Sequence, residues 1–188
     1  MAEPTFLGIG KAEWDLYNSF SSWIAAFATL AAVLVSLYLA RRSARPTASV
    51  TAGTYIDFTV GGPDKGRKVI QLKIVNTGDR PIRIINIGWR VGIFRKRFAT
   101  QKFLVLESSP LPVDLTHGQE AFWVVPVDCG DEPWPERFAA RMLKPDARSS
   151  LLSLRAEFYS SVGIVFRVKP AASLLKILAE AEKRVGAK

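Results

Sequence analysis

Acid–base or nucleophilic chemistry in this chain would depend on His117, because it is the one histidine in the sequence. A serine or cysteine nucleophile is normally activated by a neighbouring base, and histidine is the usual one. His117 comes directly before Gly118, in a segment typical of a tight turn, and it is far in sequence from Cys129, the one cysteine. We therefore expect a surface turn residue, and we predict that the protein is not an enzyme.

Metal binding is the other chemistry to consider, because Cys129 lies among Asp128, Asp131 and Glu132. Protein zinc sites usually take three or four Cys or His ligands, which this cluster does not offer. The carboxylates also disfavour the thiolate form of the cysteine, which argues against a reactive nucleophile. The sequence therefore predicts no metal, no cofactor and no small-molecule substrate. An enzyme with an unrecognised site around His117 or residues 128–132 is kept as an alternative.

The chain is organised around residues 20–40, FSSWIAAFATLAAVLVSLYLA, which contain no charged residue, no histidine and no proline. As a helix this segment spans roughly 31 Å, which matches the hydrocarbon core of a bilayer. We predict a single transmembrane helix. The alternatives are a buried core helix and a cleaved signal peptide, but core helices seldom run this long without a polar face, and the preceding residues are acidic where a signal peptide is basic.

Basic residues directly after the span predict its orientation. Arg41, Arg42 and Arg45 follow it, whereas residues 1–19 carry Lys11 against three carboxylates. Because basic residues close to a span stay cytoplasmic, we predict an inner-membrane protein with its N-terminus outside and its C-terminal domain in the cytoplasm. The three arginines would then contact the lipid headgroups.

The span also carries a row of small residues. Ala28, Ala32 and Ser36 recur every four positions, so they share one helix face. Small residues on one face let two transmembrane helices approach closely, which predicts a homodimer or another helix as partner.

Net charge points to an anionic surface as a second partner class. The chain carries +9, and the tail before the span carries −2, so the residues after the neutral span carry +11. Membrane lipid is the first candidate for such a basic domain, and nucleic acid is a weaker one. Arg95, Lys96 and Arg97 form a triplet that could contact an anion, although such a run is more often a solvated turn.

Residues 48–170 alternate between apolar and polar side chains, with turn residues between the alternating stretches. In the best strand, residues 82–94, the pattern places Ile85, Ile87, Trp89, Val91 and Ile93 on one face. Residues 98–106 and a stretch from Leu152 to Phe158 also alternate, whereas residues 134–143 and 171–184 have helical spacing. About seven strands predict a mainly β fold, namely an immunoglobulin-like antiparallel β-sandwich with a short inserted helix and a C-terminal amphipathic helix.

The predicted organisation has five parts. They are a short extracytoplasmic tail (1–19), the transmembrane helix (20–40), a basic linker (41–47), the β-sandwich (48–170) and the C-terminal helix (171–188).

Four stretches resemble a group of small, uncharacterised bacterial membrane proteins: TLAAVLVSLYLARR, IVNTGDRPIRIINIGWRVG, SSPLPVDLTHGQ and SVGIVFRVKP. The most distinctive positions are Asn76, Gly78, Arg80, Pro81, Gly88 and Trp89. The resemblance implies one N-terminal span followed by a β-sandwich, and it implies no activity. The leading hypothesis is therefore a non-enzymatic, membrane-anchored protein-interaction module, and the alternative is a basic-surface binder of anionic lipid or nucleic acid.

Overall fold

The computed structural model describes residues 11–43, 45–57, 66–93, 95–128 and 132–186. The chain divides into two compact units, residues 1–45 and residues 46–188. The first unit contains helix α1 (Lys11–Ser43), which begins before the predicted span and continues past it. By length and composition, Trp14–Arg41 could cross a membrane, and its most apolar window is not buried in the structure.

The second unit contains eight described strands and three α-helices. The strands are β1 (Ala48–Asp57), β2 (Arg67–Asn76), β3 (Ile82–Val91), β4 (Arg97–Thr100), β5 (Val113–Leu115), β6 (Glu120–Pro126), β7 (Arg155–Ser160) and β8 (Val165–Val168). The helices are α2 (Trp134–Phe138), α3 (Ala147–Ser153) and α4 (Ala172–Gly186), with a 3₁₀ turn at Val105–Glu107 and a π-helical turn at Ala139–Leu143.

The strands form two antiparallel sheets. The first sheet has the order β1–β2–β6, and the second has the order β4–β3–β7–β8 with β5 also paired to β3. Strand β3 is central because β4 pairs with its C-terminal half while β5 pairs with its N-terminal half. The mainly antiparallel sheet architecture and the C-terminal helix agree with the sequence prediction.

One hydrophobic core joins the two sheets. Trp123 of the first sheet packs on Phe158 of the second, with ring centroids 5.9 Å apart. Trp89, which the alternation placed in the core, is 1% exposed and contacts Phe138. Burial of large side chains such as these contributes about 1.5–3 kcal/mol each to folding.

The predicted face of β3 is wrong at its beginning. The pairing of β3 with β7 shifts register between Ile84 and Asn86, which marks a β-bulge. A bulge adds one residue to one strand and so reverses the inward and outward positions on one side of it. As a result Ile84 is fully buried, whereas Ile85 is 48% exposed.

Two other predicted elements differ from the structure. Regular pairing of β4 ends at Thr100, because the buried Gln101 side chain turns inward and accepts a hydrogen bond from Trp89 Nε1 at 2.6 Å. Leu152 belongs to α3 rather than to a strand. The carboxylate of Asp146 accepts hydrogen bonds from the backbone N–H groups of Arg148 and Ser149, which makes it the N-cap of α3. The alternating apolar residues had predicted a strand here instead.

Asn76 fixes the connection between β2 and β3. Its buried amide donates to the carbonyl groups of Arg80 and Leu115, both at 2.8 Å, and its Oδ1 accepts from Gly78 N at 2.9 Å. One side chain therefore joins the turn to β5, which explains why a buried amide is tolerated here.

Candidate interaction site on the first sheet

The residues considered for catalysis and metal binding do not form a described site. His117 is exposed in the turn before β6, where its Nδ1 lies 3.2 Å from the Gly78 carbonyl oxygen. Cys129 and Asp131 lie outside the described residues, while Asp128 and Glu132 are exposed. In the described part of the chain, no three His, Cys, Asp or Glu residues are grouped so that they could hold a metal ion.

The predicted lipid-contacting arginines lie at the end of α1 and just beyond it. Arg41 and Arg45 are exposed, and the side chain of Arg42 is outside the described set. Ala28, Ala32 and Ser36 are all exposed on α1. Ala28, Ala32, Ser36, Arg41 and Arg45 are therefore on the surface of this unit, and the roles of both sets stay predictions.

The basic triplet is divided between two environments. Arg95 and Lys96 are exposed in the turn between β3 and β4. Arg97, the first residue of β4, is half-buried, and its guanidinium donates to the Lys144 carbonyl and, at 3.1 Å, to Ser150 Oγ. Arg97 thus ties β4 to α3, which leaves Arg95 and Lys96 as the exposed members of the triplet.

A concave surface lies on the face of the first sheet that points away from the core. Strand alternation places Tyr55, Val69, Phe122 and Val124 on this face, from three adjacent strands. Together with the polar residues at one end they line a groove of about 700 Å³, called the apolar groove below. Its remaining lining residues are Ile56, Asp57, Gly66, Arg67, Gln71 and Glu107.

The segment after β4 runs along the edge of β6, and Glu107 from this segment lines the apolar groove. Leu104 N donates to the Val124 carbonyl at 3.0 Å, and Ser109 N donates to the Phe122 carbonyl at 2.9 Å. In return, Ser108 Oγ accepts from Val124 N at 2.9 Å. Because these bonds cover the free edge of β6, the 3₁₀ turn between them is held beside the sheet.

That 3₁₀ turn presents large apolar side chains to solvent. Leu106 is fully exposed and Val105 is 76% exposed. Ile56, at the end of β1, lies on the same strand face as the buried Ala52. It is nevertheless 59% exposed, because it lies beyond the area where the two sheets pack. Ile56 lines the apolar groove, and Val105 and Leu106 directly precede Glu107, which also lines it. Clustered exposed apolar side chains mark interaction surfaces more often than isolated ones do.

A charged cluster closes one end of the apolar groove. The Arg67 guanidinium forms ion pairs with Glu107 and, at 3.3 Å, with Asp57. The hydrogen bond to Glu107 raises the pKa of Arg67 above its ordinary value. Among the described residues that line the groove, two carboxylates surround one guanidinium, so the formal charges of these three side chains sum to −1.

A second polar cluster, on the outer face of the second sheet, serves the fold. Glu157 is 1% exposed, although it lies on the side of β7 that faces away from the core. Its Oε1 accepts from Arg167 Nε at 2.7 Å, and its Oε2 accepts from the Tyr159 hydroxyl at 2.6 Å. Arg90 Nε is 3.3 Å from the same Oε1, which is an ion-pair distance without hydrogen-bond geometry.

The sequence analysis predicted neither the apolar groove nor the cluster around Glu157. The apolar groove has a signal in the sequence, because β6 carries apolar residues on both faces: Phe122 and Val124 alternate with Trp123 and Val125. A strand with only one face in the core does not need this pattern. The Glu157 cluster has no such signal, since its three partners come from three different strands.

Comparison with known proteins assigns no family. No protein-family model matches the chain, and no curated protein matches it either. Thirteen chains of solved structures match, among them the crystal structure of the "Putative ApaA Protein" from Bordetella pertussis. That match has 19% sequence identity and a TM-score of 0.30, and it covers 68% of this chain and 89% of the other. A likeness at this level carries no functional argument.

Proposed function

We propose that this chain is a non-enzymatic, membrane-anchored protein-interaction module. Helix α1 anchors it in the inner membrane with the N-terminus outside. The domain after it, an immunoglobulin-like β-sandwich, binds a protein partner at the cytoplasmic face through the apolar groove. The observation that carries the proposal is this groove, which the exposed Ile56 lines and which Glu107 lines directly after the exposed Val105 and Leu106.

The exposure of these side chains favours a macromolecule over a small ligand. A small molecule seated among Tyr55, Val69 and Phe122 would leave Leu106 and Val105 in water. A protein that covers the whole surface would bury them, and each large apolar side chain so buried is worth about 1.5–3 kcal/mol before the costs of association.

Charge indicates what the partner presents. The end of the groove at Arg67 carries two carboxylates, Asp57 and Glu107, for one guanidinium. A protein segment with apolar side chains beside a basic residue complements both the groove and this negative end. A second copy of the chain is the competing occupant, and the experiment below distinguishes the two by mass.

The test places a photo-crosslinking amino acid at Leu106 of the full-length protein in its native membrane. The matched control is Val162, which is 72% exposed in the turn between β7 and β8. We expect a discrete adduct from position 106 and none from position 162, and Ile56→Asp should weaken the adduct.

Three results bear against this proposal. Equal adducts from both positions, or no adduct from position 106, would contradict a binding groove. An adduct of twice the protomer mass would show that the groove binds a second copy of the chain rather than a different protein.

A basic-surface binder of anionic lipid or nucleic acid is the second candidate, favoured by the turn at Arg95 and Lys96. Both side chains are exposed and neither forms an ion pair with another described residue. This function predicts that full-length protein in neutral nanodiscs binds acidic vesicles or DNA with affinity that falls steeply with salt. Arg95→Glu with Lys96→Glu should abolish that binding, and binding insensitive to salt would exclude it.

A further inference from the structure

Strand β4 is the end strand of the second sheet, whose order is β4–β3–β7–β8. Gln101 N donates to the Ile87 carbonyl oxygen at 3.1 Å, directly after the last regular pair of β3 and β4. Bonded pairs alternate along an antiparallel ladder, so the odd-numbered residues of β4 are the ones that bond to β3. Phe98 and Thr100 therefore direct their backbone N–H and C=O groups away from β3, where no described residue bonds to them.

The open edge of β4 is accessible to another chain. Phe98 is 60% exposed, and Thr100 is exposed as well. Proteins often cover such an edge, because its unpaired backbone groups bind another strand readily. The edge of β6 in the first sheet is covered in this way by Leu104 and Ser109. Among the described residues β4 has no such cover, so its open groups can pair with an added strand.

A cleft lies on the core side of this edge, between β4 and α2. It encloses about 480 Å³ and is called the aromatic cleft below. Trp89, Trp134 and Phe138 line it and pack on one another. Trp134 stacks on Phe138 with ring centroids 4.8 Å apart, and Trp89 meets Phe138 edge-on at 5.5 Å. Ala99 of β4 also lines the cleft, on the same sheet face as Trp89, with which it pairs.

The register of an added strand follows from the open groups. When the strand bonds to Phe98 and Thr100, its residue opposite Ala99 points to the same side of the sheet as Ala99 does. That side contains the aromatic cleft, so this one side chain enters the cleft while its two neighbours lie on the outer face. The Trp89 indole N–H donates to Gln101 Oε1 at 2.6 Å, which holds the ring in place before anything binds.

We propose that β4 binds an extended segment of a partner protein by strand addition, with one aromatic side chain of the segment in the aromatic cleft. Backbone hydrogen bonds to Phe98 and Thr100 hold the segment, and the cleft selects its side chain. Lys96 and Lys102 flank β4, are exposed and form no ion pair with another described residue. Acidic residues at the two ends of the segment complement them. This site is on the second sheet and does not depend on the apolar groove.

A second copy of the chain fits this edge poorly. Bonding of all the open groups in an antiparallel pair of two β4 strands places Phe98 of one copy opposite Thr100 of the other. In that register Lys96 of each copy lies opposite Lys102 of the other, and like charges directly opposite each other are destabilising. The residue opposite Ala99 would be another alanine, which leaves the aromatic cleft unfilled.

The experiment uses full-length protein in nanodiscs and a designed peptide with the order Glu-Ser-Thr-Phe-Val-Ser-Glu, blocked at both ends. Its phenylalanine is designed to lie opposite Ala99, and its glutamates opposite Lys102 and Lys96. Anisotropy of a fluorescein-labelled form measures the affinity. Amide hydrogen exchange, followed by NMR on isotope-labelled phenylalanine and threonine, locates the site. We expect saturable binding that slows exchange of the Phe98 and Thr100 amides by about tenfold or more.

Backbone methylation of the peptide distinguishes strand addition from simple apolar binding. Methyl groups on the amide nitrogens of its threonine and valine block the two N–H groups that face β4, so we expect no saturable binding. The matched control carries methyl groups on its first serine and its phenylalanine, whose N–H groups face away, and it should bind like the parent peptide. Replacing the peptide phenylalanine with alanine should weaken binding by about tenfold, because the aromatic cleft then stays unfilled.

Thr100→Pro is the corresponding change in the protein. It removes a backbone N–H that does not bond to β3, and proline is tolerated at such positions of edge strands. We expect Thr100→Pro to abolish peptide binding and Thr100→Ala, which keeps the N–H, to leave it unchanged. Near-UV circular dichroism verifies that each variant is folded.

Several results would overturn the proposal. One is equal binding of the two methylated peptides, a comparison that uses wild-type protein and so holds even when a variant does not fold. Others are the absence of saturable binding by the parent peptide up to about 1 mM, and binding without slower exchange at Phe98 and Thr100. Slow exchange of both amides in the protein alone, together with a dimer mass, would assign the edge to a second copy of the chain instead.

Discussion

Tyr159 donates its phenolic hydroxyl to Oε2 of Glu157 at 2.6 Å, on the outer face of the second sheet. Burial, followed by this hydrogen bond and the negative charge of Glu157, raises the pKa of Tyr159 from 10.0 to about 12. A raised pKa in the folded protein means that the folded state holds this proton more tightly than the unfolded chain does. The stabilisation is therefore complete below about pH 10 and is lost as the pH rises to about 12.

The first prediction concerns this titration. The chain has four tyrosines, so the difference between wild type and Tyr159→Phe isolates one tyrosinate absorbance change. We expect that difference to titrate near pH 12, and near-UV circular dichroism should verify that the protein remains folded there. A midpoint at the ordinary tyrosine value would contradict the hydrogen bond to Glu157.

The second prediction concerns the charge that Tyr159 contacts. Glu157→Gln keeps the shape of the side chain but leaves Arg90 and Arg167 without their carboxylate. Glu157 is 1% exposed, while the arginine side chains left without it are 22% and 49% exposed, so we expect a loss of about 1–3 kcal/mol in the free energy of unfolding. The measurement is the midpoint of urea denaturation, followed by near-UV circular dichroism.

Glu120→Gln is the matched control for that measurement. Glu120 pairs with Lys73 at 2.6 Å, but its side chain is 53% exposed. Exposed pairs contribute about 0.2–1 kcal/mol, so this variant should be nearly neutral. Equal losses in the two variants would mean that burial does not distinguish the two carboxylates.

Alternation along the chain predicted the strands well where one face is buried over the whole strand, as in β2. It failed at the beginning of β3, because a bulge is set by pairing with β7 and leaves no mark in the spacing of Ile82, Ile84 and Ile85. From Ile87 to Val91 it placed the buried residues correctly. The burial of Glu157 could not be predicted for a related reason. A glutamate at an outward position normally stays in water, and only the register places Arg167 opposite it and Arg90 nearby.

The candidate sites were less accessible to sequence reasoning than the fold. The apolar groove combines residues from strands that are distant in sequence, such as Tyr55 of β1 with Phe122 of β6. The arginines after the span are local in sequence and could be identified directly. Arg97 shows the limit of that approach, since its neighbours in the triplet are exposed while it bonds to Lys144 and Ser150.

The third prediction concerns Gly88 in β3. A Cβ at this position would lie 2.5 Å from the Ala99 carbonyl oxygen, which belongs to the paired strand β4. Because a backbone oxygen in a paired strand cannot move aside readily, Gly88→Ala should destabilise the domain by about 1–3 kcal/mol. Thermal unfolding of the full-length protein measures this change.

Gly53→Ala is the matched control, since Gly53 is also a buried strand glycine. There a Cβ would meet its nearest atoms, in Ala171 and Tyr55, at 3.5 and 3.6 Å, which is ordinary contact. Restricting the unfolded chain should make this substitution neutral or stabilising by about 0.4–1 kcal/mol. Similar losses at both positions would show that the close approach to β4 is not the cause.

The fourth prediction concerns membrane orientation, on which the choice of partners depends. A C-terminal fluorescent-protein fusion should be fluorescent and the matching alkaline-phosphatase fusion inactive, because Arg41, Arg42 and Arg45 outnumber Lys11 on the other side of the span. Changing the three arginines to glutamate should reduce the fluorescent fraction and raise phosphatase activity. Phosphatase activity in the wild-type fusion would instead place the apolar groove outside the cytoplasm and move the search for its partner to the cell envelope.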